Sequence, residues 1–230
     1  MIAACSDTCV FIRICVKTIA LWKGLLVMES QYAGTVRENL SILFENMPKG
    51  LEKLLGAVRQ GDEYSFRAFG EDCRIRRCSV LLSGKEVLDQ RALLISLYAL
   101  NRSPEEILIE PFISFRDFPD SMPYHGAFSN NSERVLIPYV DMIYQSRDSI
   151  RRKFCCPKPN IDMPGDFSLL LPALPKIYLN YIFYLADEEF PASVKCLFSA
   201  NALSFMPVDG LADVAEYASR AVLEQIGCLS

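Results

Sequence analysis

The stretch IYLNYIFYL, residues 177–185, alternates with a period of two. Ile177, Leu179, Tyr181, Phe183 and Leu185 make one wholly apolar face, while Tyr178, Asn180 and Tyr184 make a mixed one. Successive side chains of a strand point to opposite sides of its sheet, so this pattern predicts a central antiparallel strand set over a core. On its N-terminal side residues 167–171 read as a second strand, preceded by a proline and glycine linker at 157–166. On its C-terminal side Val194 to Phe198 reads as a third.

Helices flank this group. A last helix runs from Asp209, read as its N-cap, to Gly227, burying Leu211, Val214, Ala215, Ala218, Val222 and Ile226. Another is expected from Pro138 to about Phe154, with Tyr139, Met142, Ile143 and Ile150 on its apolar face. Arg147, Arg151, Arg152 and Lys153 crowd its end, where the helix dipole favours cations; an anion site is the alternative. Residues 88–100 are apolar nearly all round and predict a central helix buried on more than one side.

Nearer the N-terminus, two short helices are expected at 33–47 and 51–58, the second lined by Leu51, Leu54, Leu55 and Val58. The period then switches to two, predicting a hairpin of 64–68 with 73–80 and a bulge at Arg76 and Arg77. Residues 107–118 read as extended and 119–137 as a structured loop. Strands and helices follow one another without regular β-α-β alternation. The fold class is therefore α+β, a mainly antiparallel sheet with helices packed on it, in a single domain spanning 28–230.

Residues 1–27 are expected to be a non-core extension. Arg13, Lys17 and Lys23 cut their apolar run into pieces too short for a signal-peptide core or an integral membrane segment, and Met28 reads as a second start. A formal net charge of −4 leaves no broad cationic field for a phosphate backbone, which argues against nucleic acid as a partner. The nine cysteines are scattered, odd in number, and read as reduced thiols of a cytoplasmic protein. Cys5, Cys9 and Cys15 match no common metal spacing, so no metal site is expected, and nothing identifies a cofactor.

The one histidine, His125, limits histidine-based chemistry, and neither a GxSxG elbow nor a glycine-rich phosphate loop is present. Two segments remain. Ser114, Arg116, Asp117, Tyr124, His125 and Phe128 combine aromatics with a guanidinium and an imidazole, which suits a flat or anionic ligand; a salt bridge of Arg116 that pins the loop is the structural alternative. Asp187 and Glu189 would face the same way on an extended backbone and form a carboxylate pair, against the alternative of a solvated acidic turn.

The sequence also resembles the bacterial and archaeal family of domain of unknown function 3786. The resemblance rests on Ile113 to Asp117 with Tyr124 and Phe128, Leu171 to Pro175, Asp187 to Pro191, Leu197 with Phe198, and Pro207 to Leu211, over roughly residues 29–226. It implies no assigned activity; the family is common in anaerobes, and some members resemble fusions to an iron–sulfur module that is not seen in this sequence. Tyr184, Ser199, Val208 and Gly210 depart from the family pattern, the last three replacing polar residues, which weakens any site at the start of the final helix.

The leading expectation is a small-molecule or cofactor-binding accessory domain, with Arg116, Tyr124 and His125 facing Asp187 and Glu189 across a pocket. An enzyme using His125 with Glu189 or Asp117 as acid and base is the second reading. A structural protein-interaction domain is the third.

Overall fold

In the computed structural model, which describes residues 32–157 and 164–229, two antiparallel sheets share one core. The proposed extension at 1–27, its cysteine group, and most of the 157–166 linker lie outside the described residues. The chain enters through helix α1 (residues 32–45) and a short α2 (Leu51–Leu55). A five-stranded meander follows: β1 (Val58–Gln60), β2 (Glu63–Ala68), β3 (Glu71–Ile75), β4 (Val80–Leu82) and β5 (Lys85–Val87), adjacent in chain order.

Two expectations are corrected here. Gly56 takes a left-handed φ of 62° and ends α2 early, so Val58 joins β1 and is exposed instead of lining a helix face. The phase shift between Cys73 with Ile75 and Cys78 with Val80 is a reversal, not a bulge. Arg76 N–H donates to Ser79 O at 2.9 Å, and β3 and β4 pair as separate strands.

Helix α3 (Gln90–Leu100) is capped by Asp89, whose carboxylate accepts from the backbone N–H of Arg91 at 2.9 Å. Only Ile113–Ser114 of the stretch expected to be extended forms a strand, β6. Phe115–Asp117, at the end of that stretch, is a 3₁₀ turn, and the segment expected to be a loop is helical from His125 onward: α4 (His125–Phe128), a π-helical turn at Ser129–Glu133 and a 3₁₀ turn at Arg134–Tyr139. Each turn type has its own pitch, so no 3.6-residue period survives in the sequence. Helix α5 (Val140–Phe154) buries Val140, Ile143, Ile150 and Phe154, whereas Met142 points to solvent. Of its terminal cations, Arg147 lies over the Tyr144 ring, Arg151 pairs with Asp148, and Lys153 Nζ donates to Ala221 O.

Strands β7 (Phe167–Leu174), β8 (Ile177–Tyr184) and β9 (Ser193–Phe198) complete the second sheet, in the order β6-β9-β8-β7. The alternation in β8 has the expected outcome, since Ile177, Leu179, Tyr181 and Phe183 are fully buried. The two sheets meet where Phe69 N–H donates to Ala173 O at 2.8 Å.

Helix α6 (Val208–Gln225), not α3, is the central one: it contacts α3, α4, α5 and β7. Pro207 occupies its N-cap, so Asp209 lies in the first turn, where a carboxylate still complements the dipole. A Cβ at Gly210 would sit 2.7 Å from Met206 Sδ, so apolar packing closes this helix start.

Asp213 on α6 accepts from Gln90 Nε2 at 2.8 Å, tying α6 to α3. Burial is the main cause holding its carboxyl above the ordinary 3.8, with Glu216 and Asp209 pushing the same way. A carboxyl with a raised folded pKa contributes stability in full below its unfolded pKa and loses it as pH rises through the folded value. Asp213→Asn keeps the acceptor and removes the ionisation. Its urea midpoint should exceed that of the parent at pH 7, with the two converging as pH falls below about 4. An equal or lower midpoint at pH 7 would refute the assignment.

Candidate functional site

The pairing of β6 with β9 sets Ser114 opposite Leu197 and Ile113 opposite Phe198. Because β6 ends there, the remainder of the β9 edge is met by helical turns rather than by a strand. Beneath them lies an aromatic cluster. Phe115 and Phe128 stack with centroids 4.3 Å apart, and Phe198 lies 5.9 Å from Phe115, 5.8 Å from Phe128 and 5.4 Å from Phe118. Ser121 Oγ, buried, donates to Arg116 O at 3.2 Å and fixes the turn that carries the arginine.

Above these rings is a cavity of about 190 Å³. Three separate parts of the chain form it: Ser114, Phe115 and Arg116; His125, Phe128, Ser129 and Glu133; and Lys195, Cys196 and Leu197. The π-helical turn is thus one wall, which matters because such turns recur at functional sites, where the extra residue re-aims side chains.

Glu133 spans the cavity wall. Its Oε1 accepts from Cys196 N–H at 3.1 Å, covering an edge donor of β9, and its Oε2 accepts from Ser129 Oγ at 3.1 Å. Arg116, His125 and Lys195, in contrast, make no side-chain hydrogen bond or ion pair with any described residue. Arg116 and Lys195 are exposed and His125 is half-buried. Cys196 is buried beneath them beside Tyr181, and desolvation pushes its thiol well above 9.0, with Glu133 adding to the rise. A neutral thiol is a poor nucleophile and a poor metal ligand.

Of the residues expected to form a site, Ser114, Arg116, His125 and Phe128 line this cavity; Asp117, Tyr124, Asp187 and Glu189 do not. Arg116 is not pinned by a salt bridge, since Ser121 performs that task. The acidic residues occupy the turn between β8 and β9, whose register closes at Tyr184 with Ser193. Ser193 is four residues along β9 from Leu197, roughly 13 Å at the strand rise. The backbone there is not extended. Asp187 Oδ1 accepts from the N–H groups of Phe190 and Glu189 at 2.7 and 2.8 Å, and those bonds hold its carboxyl below 3.8. Ser129, Glu133, Lys195, Cys196 and Leu197 were not anticipated. Among them Lys195 alone left a trace, as the charged residue inside an otherwise uncharged strand.

Residues 47–221 match the profile of a family described as Domain of unknown function (DUF3786). The chain belongs to that family. The matched span includes every residue lining the cavity and all of both sheets. No curated protein and no solved structure matches the chain. Among the described residues no group of three or more His, Cys, Asp and Glu side chains is placed to hold a metal ion, and no helix is long and apolar enough to cross a membrane.

Proposed function

We propose that this DUF3786 domain binds a small molecule in the cavity at the β9 edge, acting as a ligand-binding or accessory domain in the cytoplasm. The observation that carries the reading is the convergence of Arg116, His125 and Lys195, none of them engaged, around a cavity with an aromatic floor. A small number of free polar groups set over apolar walls is the composition of ligand sites. Acid–base catalysis pairing His125 with Asp117 or Glu189 gains no support, because neither carboxylate lines the cavity that His125 lines.

His125, as the single histidine, supplies a reporter. A panel of neutral, cationic and anionic fragments titrated into the full chain should include compounds that move the His125 imidazole resonances together with the amides of Ser129 and Leu197. A panel that leaves all three unmoved, while shifting signals elsewhere, would overturn the reading.

A further inference from the structure

We infer that the ligand carries an oxyanion, a carboxylate or a phosphate group, held between Arg116 and Lys195 at the mouth of the β9-edge cavity. This deepens the small-molecule reading above and rests on it. The first ground is a reversal of charge. The chain as a whole carries a formal net charge of −4, yet the cavity rim carries two fixed cations and an imidazole against one carboxylate. A wall of one sign around a concave, partly apolar site concentrates ligands of the other sign.

The second ground is how that one carboxylate is used. Both oxygens of Glu133 already accept hydrogen bonds, from Cys196 N–H and from Ser129 Oγ. Glu133 is oriented along the wall and forms no ion pair with Arg116 or Lys195. Five other arginines of this fold are ion-paired, Arg67 with Asp72, Arg76 with Glu63, Arg91 with Glu71 and Asp89, Arg151 with Asp148, and Arg220 with Glu216, whereas Arg37, Arg74, Arg77 and Arg152, like Arg116, have no carboxylate partner among the described residues. Arg116 is left unmatched over a cavity. Its planar fork can grip two oxygens at once, and Lys195, on a neighbouring strand, supplies a second donor from another direction.

The third ground is size. A cavity of about 190 Å³ is smaller than the roughly 300–1,000 Å³ of sites for drug-sized ligands, so the body of the ligand is a small group resting on Phe115 and Phe128. Glu133 serves as a positioning residue: it closes the β9 edge and lowers the affinity for anions by its charge.

The test uses four probes with the full chain at low salt: benzoate, phenyl phosphate, inorganic phosphate and the neutral isostere benzamide. Binding is followed by calorimetry and by the His125 resonances. Benzoate or phenyl phosphate should bind at least tenfold more tightly than benzamide, and added salt should weaken that binding. The ratio of phenyl phosphate to benzoate tells which oxyanion fits, and inorganic phosphate tells how much the head group contributes alone. Arg116→Gln and Lys195→Gln should each weaken the anionic probe about tenfold. Glu133→Gln keeps an acceptor for Cys196 N–H and removes the charge, so it should tighten the anion several-fold, an effect of opposite sign that a merely structural role does not produce.

Benzamide matching benzoate, with His125 shifted by both, would sink the oxyanion inference and leave the small-molecule reading standing. Glu133→Gln weakening a bound anion while the fold stays intact would also overturn it. No response of His125 to any probe or fragment would remove both.

Discussion

Phe198→Ala is expected to lower the free energy of unfolding by about 3–5 kcal/mol, the range for removing a buried phenyl ring whose surroundings close only in part. Phe198 is fully buried and meets three other rings at 5.4–5.9 Å, those of Phe118, Phe128 and Phe115. Its backbone stands between Leu179 of β8 and Ile113 of β6. One side chain therefore joins the central strand, the short edge strand and the floor of the cavity. Urea denaturation monitored by far-ultraviolet circular dichroism gives the difference. Leu203→Ala, at a 38% exposed position, is the control and should change stability by less than about 0.5 kcal/mol. A loss below about 1 kcal/mol for Phe198→Ala would mean that the ring cluster is a surface accretion and not part of the core.

What the sequence made legible follows from where one physical constraint dominates. In β8, burial of a complete face leaves no freedom, and Ile177, Leu179, Tyr181 and Phe183 announce both the strand and its place in the sheet. The arc from Phe115 to Tyr139 is opaque in the sequence because it changes helix type three times, so its buried apolar residues, Phe115, Phe118, Phe128 and Leu136, recur at no fixed interval. The turn from β3 to β4 was misread because a reversal and a bulge both shift the phase of an alternating pattern; only the Arg76 to Ser79 hydrogen bond separates them.

The site shows the same division. Arg116 and His125 could be singled out because their chemistry is scarce in that segment, but their common cavity exists only through the pairing of β6 with β9, which a two-residue strand does not advertise. Lys195 stands out in the sequence only as the charge inside an otherwise uncharged strand, and Glu133 not at all. The pairing of Asp187 with Glu189 requires an extended backbone, which this turn does not have. Asp187 instead folds Oδ1 back onto the amides of Glu189 and Phe190, which turns it out of the paired arrangement that an extended backbone would give.

Lys176→Met is expected to cost about 2–3 kcal/mol at pH 7, the range for hydrogen bonds made by a charged donor in a site nearly closed to water. Lys176 lies in the turn between β7 and β8 and is 9% exposed. Its Nζ donates to Ser103 O at 2.9 Å and Glu105 O at 2.8 Å, above the ring of Phe205. Methionine fills similar space and offers no donor, so both carbonyls lose their partner. These bonds hold the segment that leads towards β6, and Asn201 holds it further along through Glu106 O and the Leu108 N–H. The cavity edge therefore depends indirectly on Lys176.

The pH dependence separates donor from charge. Burial is the main cause lowering the Lys176 pKa from 10.5, against the opposing pull of Glu106 and Glu105. Between the lowered folded pKa and 10.5 the unfolded chain holds the proton that the folded chain has released, so stability attributable to this group rises with pH across that window. A neutral amine still donates to both carbonyls without the desolvation cost of the cation. The gap between the parent and Lys176→Met should therefore widen as pH rises through the window, while other titrating groups cancel in the difference. A gap that closes with rising pH would show that the positive charge, acting on Glu105 and Glu106, is what holds this turn.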